Sequence, residues 1–530
     1  MTRLWLPLGC LLLIGLAPAV VLGEKPTATP LAGPDFVSQV PGGTLVIVGG
    51  GKTPAKAREA FVAEARKGTG KLVVIPSASG PGKNKPPGEI LRAWSADFPQ
   101  ATILDCANRD EALKTDAASL LEQAQAVWID GGQQTRLAQL YQGTPVEQGL
   151  KNLLRRGGVV GGTSAGAAIL SKVIIASDGK QPDAPAMATG LDLLPRVIID
   201  QHFTQSSRKA VLASAVKAHP GLVGLGIDED TALIVNQRLM SAVGSGGVHG
   251  IWSHEGKTVR EQVWKEGDAE NAVDDLPRLW RLATLGEPAP RGKPLLEKGS
   301  LMAVGGGGMV PEVVEKFIEL AGGKDALIVV LPTAGEPGDS MREARQAGGF
   351  FKRAGATNVK ALAGVTRPEV DSDEYVKLLA QAKGVWFGGG RQWRFVDAYE
   401  GTKTLEAMRG VLARGGVIGG SSAGATILGD YLCRGGPLGN REILVPGYDR
   451  GLAFLPGVGI DQHFSQRRRF ADMEHFIRQQ PGYVGIGIDE ATALVVSPQA
   501  MEVLGPGKVH VYRTGREKKE HAKGEKVALD

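Results

Sequence analysis

The 530-residue sequence contains only three cysteines, Cys10, Cys106 and Cys433. Cys10 lies inside an apolar N-terminal run, and the other two occupy unrelated places in the two halves of the chain. These positions give neither the paired pattern of a disulfide framework nor the spacing of a cysteine-based metal site. The scarcity of cysteine therefore excludes a small disulfide-rich fold.

An excess of charge of one sign is also lacking. Lys and Arg number 61 and Asp and Glu number 56, so the formal net charge is only +5. Proteins that bind nucleic acid usually carry a clustered basic excess. The near balance of charge therefore predicts no nucleic-acid partner. The apolar content of 42% is enough to form sizeable hydrophobic cores.

Only one stretch of the sequence is apolar over a length that approaches a membrane span. Arg3 precedes an apolar run over residues 4–22, which Pro7 and Pro18 interrupt. This pattern is typical of a cleaved secretory signal peptide, which we assign to residues 1–23. An uncleaved membrane anchor is the alternative, and the two prolines disfavour a long spanning helix. We expect a secreted or periplasmic protein that does not contact a membrane after cleavage.

The remaining chain is a tandem duplication. After a flexible lead-in over residues 24–43, short β-branched runs alternate with helical stretches, as in a largely parallel α/β sheet. The first runs of the two halves are 256 residues apart, and Trp128 recurs 258 residues later as Trp386. A fixed long-range offset indicates duplicated domains. The predicted arrangement is the following: domain 1 over residues 44–259, a proline-rich connector over 260–299, domain 2 over 300–512 and a loose charged tail over 513–530.

Each half contains one Gly-x-Ser-x-Gly segment at the end of an apolar run. The two segments are Gly162 to Gly166, around Ser164, and Gly420 to Gly424, around Ser422. A sharp strand–turn–helix elbow needs small neighbours and places its serine at a helix N-terminus, where negative charge is stabilised. One such segment alone could be an ordinary glycine-rich turn. Because the segment recurs, we interpret both serines as nucleophiles.

A nucleophilic serine needs a base, which a carboxylate usually orients. Each half has one histidine in an Asp-Gln-His-Phe segment, His202 and His463, and one acid in a Gly-Ile-Asp-Glu segment, Glu229 and Glu490. The histidine and the acid are 27 residues apart in both halves. Each segment follows a predicted strand, and the ends of successive central strands converge in doubly wound sheets. We therefore predict two Ser–His–Glu triads.

Two alternatives for these histidines remain open. A second recurring pair, His249 and His510, lies in a predicted edge hairpin and is the rival for the base. The Asp-Gln-His segment could also hold a metal, because residues two apart share a strand face. No third ligand recurs at a metal-binding spacing, so we predict neither a metal nor another cofactor.

Taken together, these motifs resemble those of the cyanophycinase-like serine peptidases, which are related to the α-aspartyl dipeptidases. The resemblance covers residues of about 44–255 and 300–512. It implies tandem flavodoxin-like, doubly wound, three-layer α/β domains with mainly parallel sheets. It also implies that the serine is the nucleophile, the histidine of Asp-Gln-His the base and the glutamate the orienting acid. The expected substrate is a peptide or a poly-aspartate polymer such as cyanophycin, from which cleavage releases β-Asp-Arg dipeptides.

The resemblance further implies a set of substrate-binding residues in each half: Gln134, Asp200, Gln201 and Arg208 in the first, and Gln392, Asp461, Gln462, Arg467 and Arg469 in the second. Where the family pattern has a further arginine, this chain has Val211 and Asp472. The arginine set is thinned in both halves and thinnest in the first. For the oxyanion we expect the backbone N–H groups of Ala165 and Ala423. The second donor in each half is a glycine of the pair Gly131–Gly132 or Gly389–Gly390, with Gly132 and Gly390 as the candidates.

Two other functions are consistent with the sequence. The chain could be a pseudoenzyme or binding protein in which one or both halves, the first before the second, have lost substrate recognition. It could also be an esterase of the α/β-hydrolase type, but that fold has the order Ser, acid, His. Only the alternative bases His249 and His510 would restore that order. We also expect that the two halves could pair as a pseudo-dimer.

Overall fold

The computed structural model describes residues 35–80, 82–176, 183–267, 274–336 and 340–528. The predicted signal peptide and residues 24–34 of the predicted lead-in lie outside these residues. Within the described part of the chain, none of the helices is long and apolar enough to cross a membrane.

The described part of the first half contains fourteen strands and nine α-helices. The strands are β1 (Thr44–Val48), β2 (Leu72–Ile75), β3 (Thr102–Ile103), β4 (Ala126–Ile129), β5 (Val159–Thr163), β6 (Val173–Ile175), β7 (Met187–Thr189), β8 (Val197–Gln201), β9 (Val223–Ile227), β10 (Thr231–Asn236), β11 (Leu239–Gly244), β12 (Gly247–Ser253), β13 (Val259–Lys265) and β14 (Asp274–Asp275). The helices are α1 (Ala55–Arg66), α2 (Pro87–Trp94), α3 (Arg109–Ala112), α4 (Thr115–Gln123), α5 (Gln134–Tyr141), α6 (Pro145–Arg155), α7 (Ala165–Ala168), α8 (Lys209–Ala218) and α9 (Leu276–Leu285).

The described part of the second half contains twelve strands and eight α-helices. The strands are β15 (Ser300–Val304), β16 (Ile328–Leu331), β17 (Val359–Ala361), β18 (Gly384–Phe387), β19 (Val417–Ser421), β20 (Gly429–Tyr431), β21 (Leu455–Gln462), β22 (Val484–Ile488), β23 (Ala493–Val496), β24 (Met501–Leu504), β25 (Val509–Tyr512) and β26 (Lys519–His521). The helices are α10 (Pro311–Leu320), α11 (Ser340–Arg353), α12 (Arg367–Val370), α13 (Asp373–Gln381), α14 (Gln392–Tyr399), α15 (Lys403–Ala413), α16 (Ala423–Thr426) and α17 (Phe470–Gln479).

The main sheet of each half has a parallel centre and an antiparallel edge. In the first half the strand order is β14-β11-β10-β1-β5-β4-β2-β3, and the last five strands are parallel. The second half repeats this as β17-β16-β18-β19-β15-β23-β24. Parallel strands covered on both faces are continuously apolar, as β2 is throughout and as β1 is after Thr44. The predicted α/β fold with mainly parallel sheets is confirmed.

Alternate residues of the central strands pack into hydrophobic clusters on opposite faces of the main sheet. Leu45 and Ile47 belong to one cluster, and Val46 and Val48 to another. On the second face, Trp128 packs edge-on against Phe61 with ring centroids 5.3 Å apart. The repeated tryptophan of the second half makes the same contact with Phe317, at 5.1 Å. The 258-residue repeat is therefore a repeat of core packing.

Each half also contains a second, smaller sheet that the sequence did not predict. Its order is β13-β12-β9-β8 in the first half and β20-β21-β22-β25-β26 in the second. The strands that precede the histidine and the acid, β8 and β9, belong to this sheet and not to the main one. An apolar run such as that of β8 has no feature that assigns it to one sheet, because residues on both of its faces are buried.

Two predicted boundary segments are wrong. Most of the predicted connector belongs to the first half, because β13 pairs with β12 and the buried helix α9 follows β14. The connector was predicted from its prolines, but proline is also compatible with the start of a helix. Pro277 lies in the first turn of α9, where the missing N–H would have no partner within the helix. The predicted loose tail contains β26, which pairs with β25, and Val527 is buried. Lys519 and Glu520 of this tail lie on an edge strand, where they face solvent.

The described part of the lead-in is not loose either. Phe36 is buried, and the guanidinium of Arg196 lies 5.0 Å from the centre of its ring. An apolar side chain with a cation over its face is held in the fold. The predicted flexible lead-in is therefore wrong from residue 35 onward.

Half-buried charges connect the two halves. Arg238 donates to Asp275 at 2.5 Å in the first half and to Asp397 at 3.0 Å in the second. Its guanidinium also lies 4.2 Å from the centre of the Trp393 ring. Tyr448 completes the group by donating to Asp397 at 2.7 Å. Because a buried charge that loses its partner is costly, this group opposes separation of the halves.

Candidate active site

Both candidate serines occupy a strained turn at the end of a main-sheet strand. Ser164 follows β5 and precedes α7, with φ 54° and ψ −119°. Ser422 follows β19 and precedes α16, with φ 56° and ψ −118°. A serine with positive φ is uncommon, and such strain is found where surrounding structure fixes a functional side chain. The two elbows agree within two degrees.

The glycines of the elbow are required by close packing of the backbone. A Cβ added to Gly166 would lie 2.1 Å from the carbonyl oxygen of Ile129, and one added to Gly424 would lie 2.2 Å from that of Phe387. No side chain fits at these distances. The Gly-x-Ser-x-Gly pattern therefore follows from the contact of the short helix with the neighbouring strand.

In each half the serine, the histidine and the glutamate form one hydrogen-bonded series. In the first half, Oγ of Ser164 lies 2.8 Å from Nε2 of His202, and Nδ1 of His202 lies 2.6 Å from Oε1 of Glu229. The structure thus brings together residues from the ends of two different sheets. The serine hydroxyl can donate to Nε2 while Nδ1–H donates to the carboxylate.

The second half has the same series. Oγ of Ser422 lies 3.0 Å from Nε2 of His463, and Nδ1 of His463 lies 2.5 Å from Oε1 of Glu490. The side chain of His463 is 11% exposed, against 32% for His202. The second site is therefore more enclosed than the first.

Three consecutive carbonyl groups at the end of β1 hold the backbone of the first series. The carbonyl of Val48 accepts from the N–H of Ser164 at 3.0 Å, and that of Gly49 from His202 at 2.7 Å. The carbonyl of Gly50 accepts at 3.0 Å from Asp230, the residue after the glutamate. One strand end therefore positions all three side chains.

The corresponding carbonyls of the second half make the same bonds. Val304, Gly305 and Gly306 accept from Ser422 at 3.0 Å, from His463 at 2.7 Å and from Ala491 at 2.8 Å. Gly306 also lies against the imidazole, because a Cβ added to it would be 2.2 Å from Cε1 of His463. Its φ of +94° favours glycine as well.

The turn that carries the glutamate is held by residues that sequence reasoning missed. Oε1 of Gln205 accepts from the N–H of Glu229 at 3.0 Å, and Gln466 does the same for Glu490. The sequence does contain a pattern that could have identified them: a glutamine recurs three residues after His202 and after His463. The preceding Asp228 accepts from the backbone N–H of Thr204 and of Gly247.

The rival histidines lie beside this turn and not beside the serines. Nε2 of His249 is 3.7 Å from Asp228, and Nε2 of His510 is 3.3 Å from Asp489. Their rings pack against the phenylalanines that follow the other histidines, with centroids 4.9 and 5.0 Å apart. Among the two candidates for the base, the geometry favours His202 and His463.

Charge and burial act together on the histidine of the second half. Burial lowers the pKa of His463 below its usual value, and the positive charges of Arg467 and Arg469 lower it further, whereas Glu490 raises it. Arg467 is exposed and Arg469 is buried. A lower pKa keeps the imidazole neutral, and so able to accept a proton, in more acidic solution.

The predicted substrate-binding residues have different surroundings. The side-chain amides of Gln134 and Gln392 donate to backbone carbonyls of Ile175 and Cys433, both at 2.9 Å. They therefore fix the chain beyond the elbow. Oε1 of the buried Gln462 lies 3.5 Å from Oγ of Ser422, whereas Gln201 is only half-buried at the end of β8.

The predicted acids and arginines pair with one another. Arg208 donates to Asp200 at 2.6 Å, and Arg469 donates to Asp461 at 2.6 Å. A further partner of Asp461 is Arg434, which the sequence did not indicate. These aspartates are buried, and they lie two residues before each histidine.

The two glycines of each predicted oxyanion pair have different neighbours. A Cβ added to Gly131 would lie 3.2 Å from Cβ of Ser164, and Gly389 is placed similarly beside Ser422, at 3.6 Å. Gly132 and Gly390 instead lie against backbone atoms of the preceding strand-end loops, around Ala78 and Ala334. Ala165 and Ala423 are buried first residues of α7 and α16.

Comparison with known proteins finds one family profile that matches both halves, and several similar proteins. The profile of Peptidase family S51 matches residues 45–242 and 301–504. Cyanophycinase of Trichormus variabilis is 34% identical over 217 residues, which cover 38% of this chain and 72% of the relative. Cyanophycinase of Geminocystis herdmanii is 35% identical over 188 residues, 33% of this chain and 67% of the relative. Among solved structures, a peptidase from an acI-B1 Actinobacterium is 25% identical, covering 44% of this chain and 98% of its own, with a TM-score of 0.37.

The contact between Gly306 and the imidazole gives a first prediction. In a Ser164→Ala background, Gly306→Ala should displace the His463 ring and slow the labelling of Ser422 by a fluorophosphonate by about 100-fold, since small misplacements of a base are costly. Gly308→Ala is the matched control, because a Cβ added to Gly308 meets no atom within 4 Å. Equal labelling rates for the two variants would contradict this role of Gly306.

The pKa of His463 gives a second prediction. In the Ser164→Ala background, labelling of Ser422 should decline with acidification at a midpoint below the ordinary histidine value of about 6.5. Arg467→Ala removes a positive charge that opposes protonation, so it should move the midpoint to higher pH. Arg260→Ala, in an exposed ion pair of the first half, should leave the midpoint unchanged. A midpoint at or above 6.5, or one that Arg467→Ala does not move, would be contrary to this account.

Proposed function

The chain belongs to peptidase family S51 and is a serine-type peptidase, and from this premise we propose that it hydrolyses aspartyl peptide bonds by acyl transfer at Ser164 and Ser422. The observation that carries the proposal is the duplicated Ser–His–Glu series, whose distances are short in both halves. The similarity to cyanophycinases supports a substrate of the cyanophycin type, a poly-aspartate chain with arginine branches. The expected products of cyanophycin hydrolysis are β-Asp-Arg dipeptides.

The proposed reaction has two stages, acylation of the serine and hydrolysis of the acyl-enzyme. Oγ of Ser422 attacks the carbonyl carbon of the scissile bond while Nε2 of His463 takes the hydroxyl proton. Glu490 accepts from Nδ1–H and stabilises the imidazolium that forms. The tetrahedral intermediate then expels the amine, which receives the proton from Nε2. Water, deprotonated by the same nitrogen, cleaves the acyl-enzyme and restores the serine. Ser164, His202 and Glu229 would act in the same way.

The oxyanion of each tetrahedral intermediate needs N–H donors. We assign this role to the N–H of Ala165 and of Ala423, which are the first helical residues after each nucleophile. The second donor in each half would come from the glycine pair, Gly131 and Gly132 or Gly389 and Gly390. Donors fixed by backbone need no reorganisation when charge develops, which is how such sites stabilise the transition state.

Residues 1–23 are proposed to be a signal peptide that directs the protein to a secreted or periplasmic location. The support is the apolar run after Arg3 and the small residues near its end. N-terminal sequencing of the protein isolated from the culture medium or periplasm should begin near residues 20–24. A mature protein that retains Met1 and stays with the cytoplasmic fraction would contradict secretion.

Loss of either serine tests the proposed reaction. Ser164→Ala and Ser422→Ala should each leave one working site, and the double variant should hydrolyse cyanophycin or aspartyl dipeptides about 10³-fold or more slowly. The hydrolysis products are measured by chromatography. Ser421→Ala is the control, because it removes the neighbouring hydroxyl at the end of β19 without touching the nucleophile. Full activity in the double variant would overturn the proposal.

A further inference from the structure

The aspartate that directly precedes each orienting glutamate is buried and lies outside the Ser–His–Glu series. Asp228 and Asp489 are each 6% exposed. Burial acts to raise the pKa of Asp489, but hydrogen bonds from His510 and Ser465 outweigh it and lower this pKa to about 2. The carboxylate is therefore ionised at neutral pH. A buried charge of this kind is kept only where several donors hold it.

In the second half, this aspartate joins the segment of the base to the segment of the acid. Oδ1 of Asp489 accepts from the N–H of Ser465 at 3.0 Å, and Ser465 lies two residues after His463. Oδ2 of Asp489 accepts from the N–H of Lys508 at 3.0 Å. Because Glu490 is the next residue, these bonds fix the position of its backbone relative to the imidazole of His463.

The first half has the same bonds. Oδ1 of Asp228 accepts from the N–H of Thr204 at 3.0 Å and from its hydroxyl at 2.7 Å. Oδ2 of Asp228 accepts from the N–H of Gly247 at 2.9 Å. Thr204 lies two residues after His202, and Glu229 follows Asp228. The two halves therefore share the carboxylate and both backbone donors, although the residues that supply the donors differ.

A buried histidine on β25 contacts this aspartate in the second half. Nε2 of His510 lies 3.3 Å from Oδ1 of Asp489 and 3.2 Å from Oγ of Ser465. The ring of His510 also packs against Phe464 and Phe470, with centroids 5.0 and 5.6 Å apart. His510 thus supplies both a polar contact and ring packing, and substitution can separate these two contributions.

The histidine of the first half is placed differently. Nδ1 of His249 lies 3.0 Å from Oε1 of Glu261, and its Nε2 lies 3.7 Å from Asp228. In the second half, Nδ1 of His510 lies 3.5 Å from Oε1 of Glu520. The contact of the histidine with the aspartate is therefore closer in the second half, and the effect of the histidine is assigned to that half alone.

We propose that Asp228 and Asp489 are positioning residues, each of which fixes its glutamate against the base, and that His510 orients Asp489. The aspartate acts through the glutamate, which in turn holds the imidazole in the tautomer that accepts the serine proton. In triads of this type, a wrongly held imidazole is costly even when the serine is untouched. The inference rests on the proposed peptidase function.

The role of His510 is tested in the full chain, where the other site is an internal control. Labelling of Ser164 and Ser422 by a fluorophosphonate is followed separately by peptide mapping. His510→Phe keeps an aromatic ring and loses the contact with Asp489, whereas His510→Gln keeps an N–H donor and loses the ring. The phenylalanine variant should label Ser422 about tenfold or more slowly, as expected for a lost hydrogen bond to a charge. The glutamine variant should stay close to the unaltered rate, and Ser164 should be unaffected in both.

The pH dependence gives a readout that packing alone would not change. Glu490 raises the pKa of His463, so a displaced Glu490 should raise it less. The midpoint at which acid slows the labelling of Ser422 should therefore fall in His510→Phe and stay in place in His510→Gln. His475→Gln, at an exposed position of α17, is the matched control and should change neither the rate nor the midpoint.

The aspartates are tested by the same labelling. Asp489→Asn removes the charge and directs an amide N–H2 toward one of its N–H donors, so Ser422 should react about tenfold or more slowly while Ser164 does not change. Asp228→Asn should have the opposite selectivity and slow only Ser164. Each variant is compared at an unchanged thermal unfolding midpoint.

Three results would overturn the inference. Equal Ser422 rates in His510→Phe and His510→Gln, or a slower rate in the glutamine variant, would reduce His510 to a packing residue. Unaltered labelling of Ser422 in folded Asp489→Asn, or of Ser164 in folded Asp228→Asn, would remove the role of the aspartates. An equal loss at both serines would show general destabilisation instead of positioning. A lack of labelling at both serines in the unaltered chain would contradict the proposed function itself.

Discussion

Three consecutive backbone carbonyls at the end of one strand fix the geometry of each candidate active site. In the first half, the carbonyls of Val48, Gly49 and Gly50 hold the chain at the serine, at the histidine and just after the glutamate. These three segments come from two different sheets, and they meet only because one strand end bonds to all of them. The strain at Ser164 persists because its surroundings determine it in this way.

The sequence shows the side chains of each site but not the backbone hydrogen bonds that position them. The repeated elbow, the histidine in Asp-Gln-His and the glutamate in Ile-Asp-Glu are side-chain patterns, and they identify the residues that the structure brings together. The carbonyls that hold them carry no side-chain signature. The glycine run after β15 was visible, but its reason, contact of Gly306 with the imidazole of His463, needs the folded chain. The smaller sheet was missed because apolar strands do not reveal their neighbours.

Charges close to the site were the hardest part to predict. Arg434 lies 27 residues before Asp461 in the sequence, in a segment without a repeated motif, yet it forms a buried ion pair with that aspartate. The predicted tail and connector were misread for a related reason: high charge and proline content are common in loops but also occur on edge strands and in first helical turns. Composition could not separate these cases.

Duplication has kept the elbow and changed what surrounds it. The serine dihedrals of the two halves agree within two degrees, whereas the side chain of His463 is about a third as exposed as that of His202. The backbone frame is therefore the same in both halves, while the burial and the charges around it differ.

The measurement that tests the central claim most directly is the intact mass of the protein after reaction with a fluorophosphonate. Two equally competent Ser–His–Glu series predict two adducts, which peptide mapping places on Ser164 and Ser422. A single adduct would show that one of the two short hydrogen-bonded series does not activate its serine. No adduct, in protein that is folded and otherwise intact, would contradict the account.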